Sequence, residues 1–328
     1  MIEFHSFLAD DLENYIEFRK AAGYRYKTPR WFLSTIDRYV VKNGSALPDL
    51  TPAYFLDFRH DIDAEPGTIN KIFIWLRGFF DYMVRMEKMS ENPVADIPAL
   101  YENNYIPFVL SPEQTDALLS AVEKQIRKTR ECFFVRDLAV YTALCLMARC
   151  GLRISEPFRL GDRHWRRDEM TLYIEKTKFN KDRLIPVPKI AVPIIDNFLS
   201  VRNAFVGGHS DDISLLTVRP GVVASKFVAR KYFHRAIERI GIHRPKRIVG
   251  NMTFGHPRPH SLRHSFAVNT LRDVRQRGRS AQNALPVLAA YLGHTDWRYT
   301  MKYLKVIDAE HGKALVDFCV KHKRGDLF

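Results

Sequence analysis

The sequence predicts a mainly helical protein with one small β-hairpin, built as a helical N-terminal domain followed by a larger α+β domain. Three observations lead there. Apolar residues recur at three- and four-residue spacing through most of the chain, the period of an amphipathic helix. Pro, Ser, Thr and Gly punctuate those runs where helices start and stop. Only one stretch alternates with the period of a strand. At 328 residues the chain is long for one compact domain and natural for two.

Residues 6–22 place Phe7, Leu8, Leu12, Tyr15, Ile16 and Phe18 at helical spacing, and Gly23 stops the run. Thr28-Pro29 supplies an N-cap and a proline for the first helical position of a second helix, to about Lys42. Its apolar face is Trp31, Phe32, Leu33, Ile36, Tyr39 and Val40. Thr51-Pro52 repeats the signal for a third helix, to about Asp63. Residues 68–89 form a longer fourth, with Ile69, Ile72, Phe73, Leu76, Phe79, Phe80 and Met83 on one side and Asn92-Pro93 beyond its end. Residues 96–110 hold two prolines and no period, and are expected to be an extended linker between domains 1–95 and 111–328.

Ser111-Pro112-Glu113 opens the next helix with the same cap grammar. Residues 131–150 are a strongly apolar helix stopped by Gly151. MTLYIE at 170–175 and DRLIPV at 182–187 alternate and are rich in β-branched residues, so they are expected to pair as the hairpin. Helices follow at about 189–204, 223–240, 260–276, 283–292, 296–304 and 308–322.

Composition excludes several classes. With 46% hydrophobic and 27% charged residues the chain is neither disordered nor collagen-like. No apolar run approaches the length of a bilayer span, so no transmembrane helix is expected. The start, MIEFHSFLADDLENY, lacks the basic and apolar segments of a signal peptide. Cys132, Cys145, Cys150 and Cys319 form no CxxC pair and read as reduced thiols of a cytoplasmic protein. The net charge of +14 is uneven: residues 1–105 carry −4 and residues 106–328 carry +18. A basic domain of that size implies a polyanionic partner, nucleic acid first. A ribosomal or anionic-membrane partner fits the charge as well, but no basic amphipathic helix stands out as a membrane binder.

Four clusters in the second domain carry chemistry. Arg153, in Gly151-Leu152-Arg153-Ile154-Ser155-Glu156, follows a helix-ending glycine. Lys178 sits at the expected hairpin tip. His260-Ser261-Leu262-Arg263-His264 opens a helix, so His260 and Arg263 share one face at an end that favours phosphate. Leu292-Gly293-His294 is followed nine residues later by Tyr303. Taken singly these are a solvated arginine, a cap and a core tyrosine.

In order and together they resemble the tyrosine recombinase/integrase family of phage, Xer and transposon type. The motifs are GLRISE, the hairpin lysine followed by NKDRLIPVP, HSLRHSFA, YLGH and the tyrosine nine residues on, spanning Ser111 to Val306. TINKIFIWLRGFFDYMVRMEKMSENPV in the first domain is similar to the family's helical, SAM-like core-binding domain.

The resemblance implies a site-specific recombinase that cuts and rejoins double-stranded DNA through a 3′-phosphotyrosine and a Holliday junction. Tyr303 would be the nucleophile, with Tyr299 a rival one turn earlier. Arg153 and Arg263 would clamp the phosphate oxygens, His294 would add a hydrogen bond, His260 would take the tyrosine proton and Lys178 would protonate the leaving oxygen. Glu156 would hold an arginine or histidine, and His264 would support the fold behind the site. No metal, cofactor or ATP is implied, because cationic side chains neutralise the phosphate and the covalent step conserves its energy. The partners would be duplex DNA and further copies of the chain, four in a synapse, in the cytoplasm at the nucleoid. The alternatives are a type IB topoisomerase, which shares the chemistry but not the HSLRH and LGH motifs, and a non-catalytic DNA-binding architectural protein. A DDE-type transposase has no positive support.

Two stretches depart from a compact member. The run after Arg263, with Arg272, Arg275, Arg277 and Arg279, is long, and is either an extended loop at DNA or a neighbouring protomer, or a solvated one. Residues 241–259 are basic and proline-broken and include Arg258, expected at a phosphate. Lys181 and Arg183 beside the hairpin tip are expected at DNA too. In the acidic first domain Arg25, Lys27 and Arg30, with Lys71 and Arg77, would face the duplex. The last helix, 308–322, would pack on a neighbouring protomer.

Overall fold

In a computed structural model the described residues are 2–24, 29–175, 182–207, 213–294, 296, 298–304 and 306–307. The chain divides into two compact units, Met1–Asn103 and Asn104–Phe328. Arg25, Lys27, Lys178, Lys181 and the expected helix at 308–322 lie outside the described residues.

The first unit is four helices, α1 (Ala9–Ala21), α2 (Pro29–Asn43), α3 (Pro52–Asp61) and α4 (Pro66–Arg85). Thr51 caps α3 by accepting the Tyr54 amide, as its Thr-Pro start requires. Leu12, Tyr15, Ile16, Leu33, Ile36, Phe55, Phe58 and the apolar stripe of α4 close one core. Gly78 on α4 gives Tyr15 its place: a Cβ there would lie 2.4 Å from the Tyr15 hydroxyl oxygen. Phe7, Phe18 and Trp31, read from spacing into the apolar faces, are exposed at their rims.

The second unit wraps around α6 (Glu131–Cys150), a helix apolar on nearly all sides and therefore buried on nearly all sides. Helices α5 (Pro112–Glu123), α7 (Val192–Val206), α8 (Lys226–Arg239) and α9 (His260–Gln276) pack against it. Ser111 and Gln114 form a capping box at the start of α5. Cys145 and Cys150 are buried on α6, and burial pushes both thiols up to about 12.

Three small sheets accompany the helices. Strand β1 is Asn104–Ile106; β2 (Trp165–Arg166), β3 (Thr171–Ile174) and β4 (Arg183–Pro186) form an antiparallel sheet; β5 (Thr217–Arg219) pairs with β6 (Val222–Val223); β7 (Arg247–Val249) pairs with β8 (Met252–Phe254). The expected hairpin is β3–β4, with Thr171 opposite Pro186 and Ile174 opposite Arg183, and it gains β2 as a third strand.

The 96–110 segment is tied down along much of its length. Arg77 donates to the Val94 carbonyl at 3.1 Å and to that of Ile97, and Asn70 exchanges two hydrogen bonds of 2.8 Å with the Leu100 backbone. Residues 104–106 then form β1, parallel to β8. The basic stretch 241–259 correspondingly contains the hairpin β7–β8. The run after Arg263 is likewise helical: α9 continues to Gln276, and α10 (Ala281–Leu292) follows after a turn at Gly278, φ +72°. Among the described residues no helix is long and apolar enough to cross a membrane.

Candidate active site

Three helix ends build the site. Helix α6 stops at Gly151, whose φ of +62° is the left-handed conformation of a glycine C-cap. A Cβ there would lie 2.6 Å from the Phe266 ring, so close packing also demands glycine. Helix α10 ends the same way at Gly293, φ +66°. The C-terminal carbonyls of both helices lack helical partners and carry partial negative charge. Helix α9 begins nearby, presenting His260, Arg263 and His264 in its first turns.

The arginines bind those carbonyls. Arg263, 1% exposed, donates from its two terminal nitrogens to Gly151 O at 2.8 Å and Leu292 O at 2.5 Å. Arg153 donates to Gly293 O at 3.0 Å and to Glu156 Oε1 at 2.9 Å, while its own amide donates to Glu156 Oε2 at 2.8 Å. The Glu156 carboxylate, 2% exposed, also receives both arms of Arg183, at 3.1 and 2.8 Å. Burial alone would raise the Glu156 carboxyl, but Arg183 and Arg153 reverse this and hold it at about 2. Two guanidiniums thus bind one carboxylate, and Arg263 adds a third positive charge to the cluster. Burial, with Arg153 nearby, lowers the Arg263 guanidinium to about 9. The arrangement is a socket with excess positive charge, suited to an oxyanion.

Tyr303 lies on the helical run 298–304, 1% exposed, and packs with Ala267, Val268, Leu271 and Leu292. Its hydroxyl is 3.0 Å from His264 Nδ1. The His264 ring meets the His260 ring edge-on, centroids 4.5 Å apart. The His294 ring lies nearly parallel to Tyr303 at 6.5 Å, and its Nδ1 is 2.8 Å from the buried Thr300 hydroxyl. The Lys302 ammonium stands 5.2 Å from the centre of the Tyr303 ring. Burial pushes the Tyr303 phenol up to about 12, against the pull of Arg263 and Arg153. Burial and neighbouring cations lower the histidines, His260 to about 4, His294 to about 3 and His264 to about 2, so all three are neutral near pH 7.

Six of the residues singled out from sequence therefore meet: Arg153, Glu156, His260, Arg263, His294 and Tyr303. Tyr299, the rival, points elsewhere and is 61% exposed. Two residues change place. Arg183 was expected on a DNA-facing surface and is instead a buried partner of Glu156, its Nε donating to Tyr291 O at 2.9 Å. His264 was expected behind the site, yet it, not His260, holds the Tyr303 hydroxyl. Of the other basic residues, Arg258 is exposed and donates to the Tyr105 hydroxyl at 2.6 Å, and Lys71 is exposed on α4. Arg30 pairs with Glu13, and Arg77 is engaged by carbonyls as described. Sequence reasoning missed Thr300 and Lys302. Thr300 had a signal, lying one helical turn before Tyr303 and so on its face. Among the described residues no three His, Cys, Asp or Glu side chains are grouped as a metal site requires.

Residues 109–310 match the family described as the phage integrase family. A Sinorhizobium fredii protein named as an integrase/recombinase, y4rE, is 27% identical over 306 residues, covering 93% of each chain. The tyrosine recombinase XerC of Actinobacillus pleuropneumoniae is 30% identical over 249 residues, covering 73% of this chain and 70% of its own. In fold the chain is similar to lambda integrase, seen as a tetramer bound to a Holliday junction. That match has a TM-score of 0.60 and 18% identity, covering 88% of this chain and 77% of the other.

Proposed function

Given that the chain belongs to the phage integrase family and is a site-specific tyrosine recombinase, we propose that Tyr303 is its nucleophile and that Arg153, Arg263 and His294 hold the phosphate it attacks. The phenol oxygen bonds to phosphorus, the bond to the 5′-oxygen breaks, and a 3′-phosphotyrosine and a free 5′-hydroxyl result. Rejoining runs the same exchange with a new 5′-hydroxyl. The phosphotyrosine conserves the diester's energy, so the reaction calls on neither ATP nor a metal cofactor.

Each residue has a physical task. Charge gathers on the non-bridging oxygens as phosphorus becomes five-coordinate. The two positive charges left over after Glu156 neutralises one of three guanidiniums match that accumulation. Gly151, Leu292 and Gly293 carbonyls pre-orient the donors, so little reorganisation is needed when the anion arrives. Free tyrosine titrates near pH 10, and burial raises Tyr303 further, so a base must take its proton. His264 holds the hydroxyl in the DNA-free enzyme. His260, at the helix start and less buried, receives the proton once Tyr303 moves to the phosphate. Lys178 protonates the leaving oxygen.

The partners in this reading are duplex DNA carrying a recombination site and further copies of the chain, assembled as four around a Holliday junction. Residues 1–95 act as the core-binding domain and residues 111–328 carry catalysis. Lys71, Arg258, Arg25, Lys27 and Lys181 are the candidates for backbone contact, and the cytoplasmic nucleoid is the place of work.

The observation that carries the reading is the hydrogen bond from Tyr303 to the helix that bears Arg263, in a cluster with excess positive charge. Nicked suicide duplexes drawn from the DNA flanking the gene test it, because the released 5′ strand diffuses away and traps the intermediate. A covalent adduct forms with the wild type and with Tyr299→Phe, and none forms with Tyr303→Phe. An adduct that survives Tyr303→Phe overturns the assignment.

A further inference from the structure

Near pH 7 the His294 imidazole is neutral, because burial and the neighbouring Arg263 and Arg153 resist its protonation. A neutral imidazole has one N–H. It can donate to a phosphate oxygen from Nε2 only if Nδ1 is the bare nitrogen.

The surroundings decide which nitrogen is bare. His294 Nδ1 lies 2.8 Å from Thr300 Oγ1, and among the described residues nothing bonds to its Nε2. Thr300 is 0% exposed, and His294 is the one hydrogen-bond partner of its hydroxyl among the described residues. Thr270 makes a useful contrast: its hydroxyl donates to the carbonyl four residues earlier on its helix, Phe266 O, at 2.7 Å. Thr300 has no such bond to Asp296. If Nδ1 carried the proton, the Thr300 O–H would be a buried donor without an acceptor, which is costly. With the hydroxyl donating to Nδ1, both groups are satisfied and the proton resides on Nε2.

The geometry assigns Thr300 as a positioning residue: its hydroxyl holds His294 in the Nε2–H form, ready to donate to the scissile phosphate without becoming charged. This rests on the reading that His294 faces the phosphate. The bond also fixes the plane of the ring, as partners of the second nitrogen do for other functional histidines. Thr300 is one turn from Tyr303 on the same helix. The nucleophile and the support of a phosphate donor therefore move as one piece.

Nitrogen-15 spectra of the full-length, histidine-labelled protein test the assignment directly, with the His294 signals identified through His294→Asn. The expected wild-type spectrum shows Nε2 protonated and Nδ1 bare. Thr300→Val, which keeps the shape and removes the donor, shifts His294 toward a mixture of tautomers, and Thr300→Ser restores the wild-type form. Cleavage of the nicked duplex falls by about two- to tenfold in Thr300→Val, in step with the lost Nε2–H fraction, and recovers in Thr300→Ser. A wild-type spectrum with Nδ1 protonated overturns the proposal even if no variant folds. So does a Thr300→Val spectrum unchanged from wild type. A tautomer that shifts while cleavage stays at the wild-type rate upholds the role of Thr300 and overturns that of His294 at the phosphate.

Discussion

Arginine does two different jobs in the two units. In the first, Arg30 faces the Glu13 carboxylate and Arg77 ties down the Val94 and Ile97 carbonyls, closing a core that phenylalanines and leucines already define. In the second, Arg263 is equally tied to carbonyls but is almost fully buried, beside Arg153 and Arg183, which share the one carboxylate of Glu156. The first arrangement uses cations to finish a fold. The second holds charge in excess at a place where it weakens folding, which makes sense if an anion arrives to balance it. Polar bonds of similar length and acceptor type thus mean different things according to burial and the local sum of charge.

Removing the central charge of the second unit has the largest expected effect. Arg263→Ala should lower suicide-duplex cleavage by on the order of 1000-fold, the upper range for one preorganised donor. Stability should fall by no more than roughly a few kcal/mol, because removal of a buried cation without its own carboxylate offsets part of the cost of two lost carbonyl bonds and a cavity. A variant that cleaves normally would show that Arg263 is structural, as Arg77 is.

Acid provides the next test. Glu156 has a folded-state pKa of about 2, below the ordinary carboxylate value, so its contribution is present above roughly pH 4.5 and is lost as pH falls toward 2. Its size is on the order of 3 kcal/mol. His260, His294 and His264 are also depressed in the folded state, so protons favour unfolding from about pH 6.5 downward. Denaturant titration should therefore show stability declining from about pH 6.5 and more steeply below about pH 4.5, where Glu156 adds its share; Glu156→Gln preserves the first decline and removes only the added steepness. A stability flat from pH 7 to 3 would contradict the charge pattern described for the site.

Arg77→Ala should have the smallest effect, costing about 1–2 kcal/mol of stability for two lost bonds to carbonyls. Affinity for duplex DNA should stay near that of the wild type. A large loss of affinity with unchanged stability would return Arg77 to the DNA-facing role that its sequence context implied.

Much of this was legible in the residues. Helices declared themselves through period and caps, so α2 and α4 of the first unit and α6 and α9 of the second lie close to where spacing put them. The Gly151 stop fixed Arg153, and the helix start at His260 fixed Arg263. Three-residue strands carry too little alternation to be seen, and β1 finds its partner β8 far along the chain, where no local signal reaches. The β7–β8 turn carried a signal, the two-residue Gly250-Asn251 loop between Val249 and Met252, that reading 241–259 as a basic, proline-broken stretch passed over. Arg183 misled because its basic neighbours look like a surface, while a buried carboxylate 27 positions earlier claims it. His260 and His264 sit one turn apart on α9, and only the approach of Tyr303 from another helix separates their roles.

The most direct test of the whole account is to digest the trapped protein–DNA adduct and locate the modified peptide by mass spectrometry. The account predicts a nucleotide phosphate on Tyr303 and unmodified Tyr299. A phosphate on any other residue, or an adduct with Tyr303 free, would contradict it.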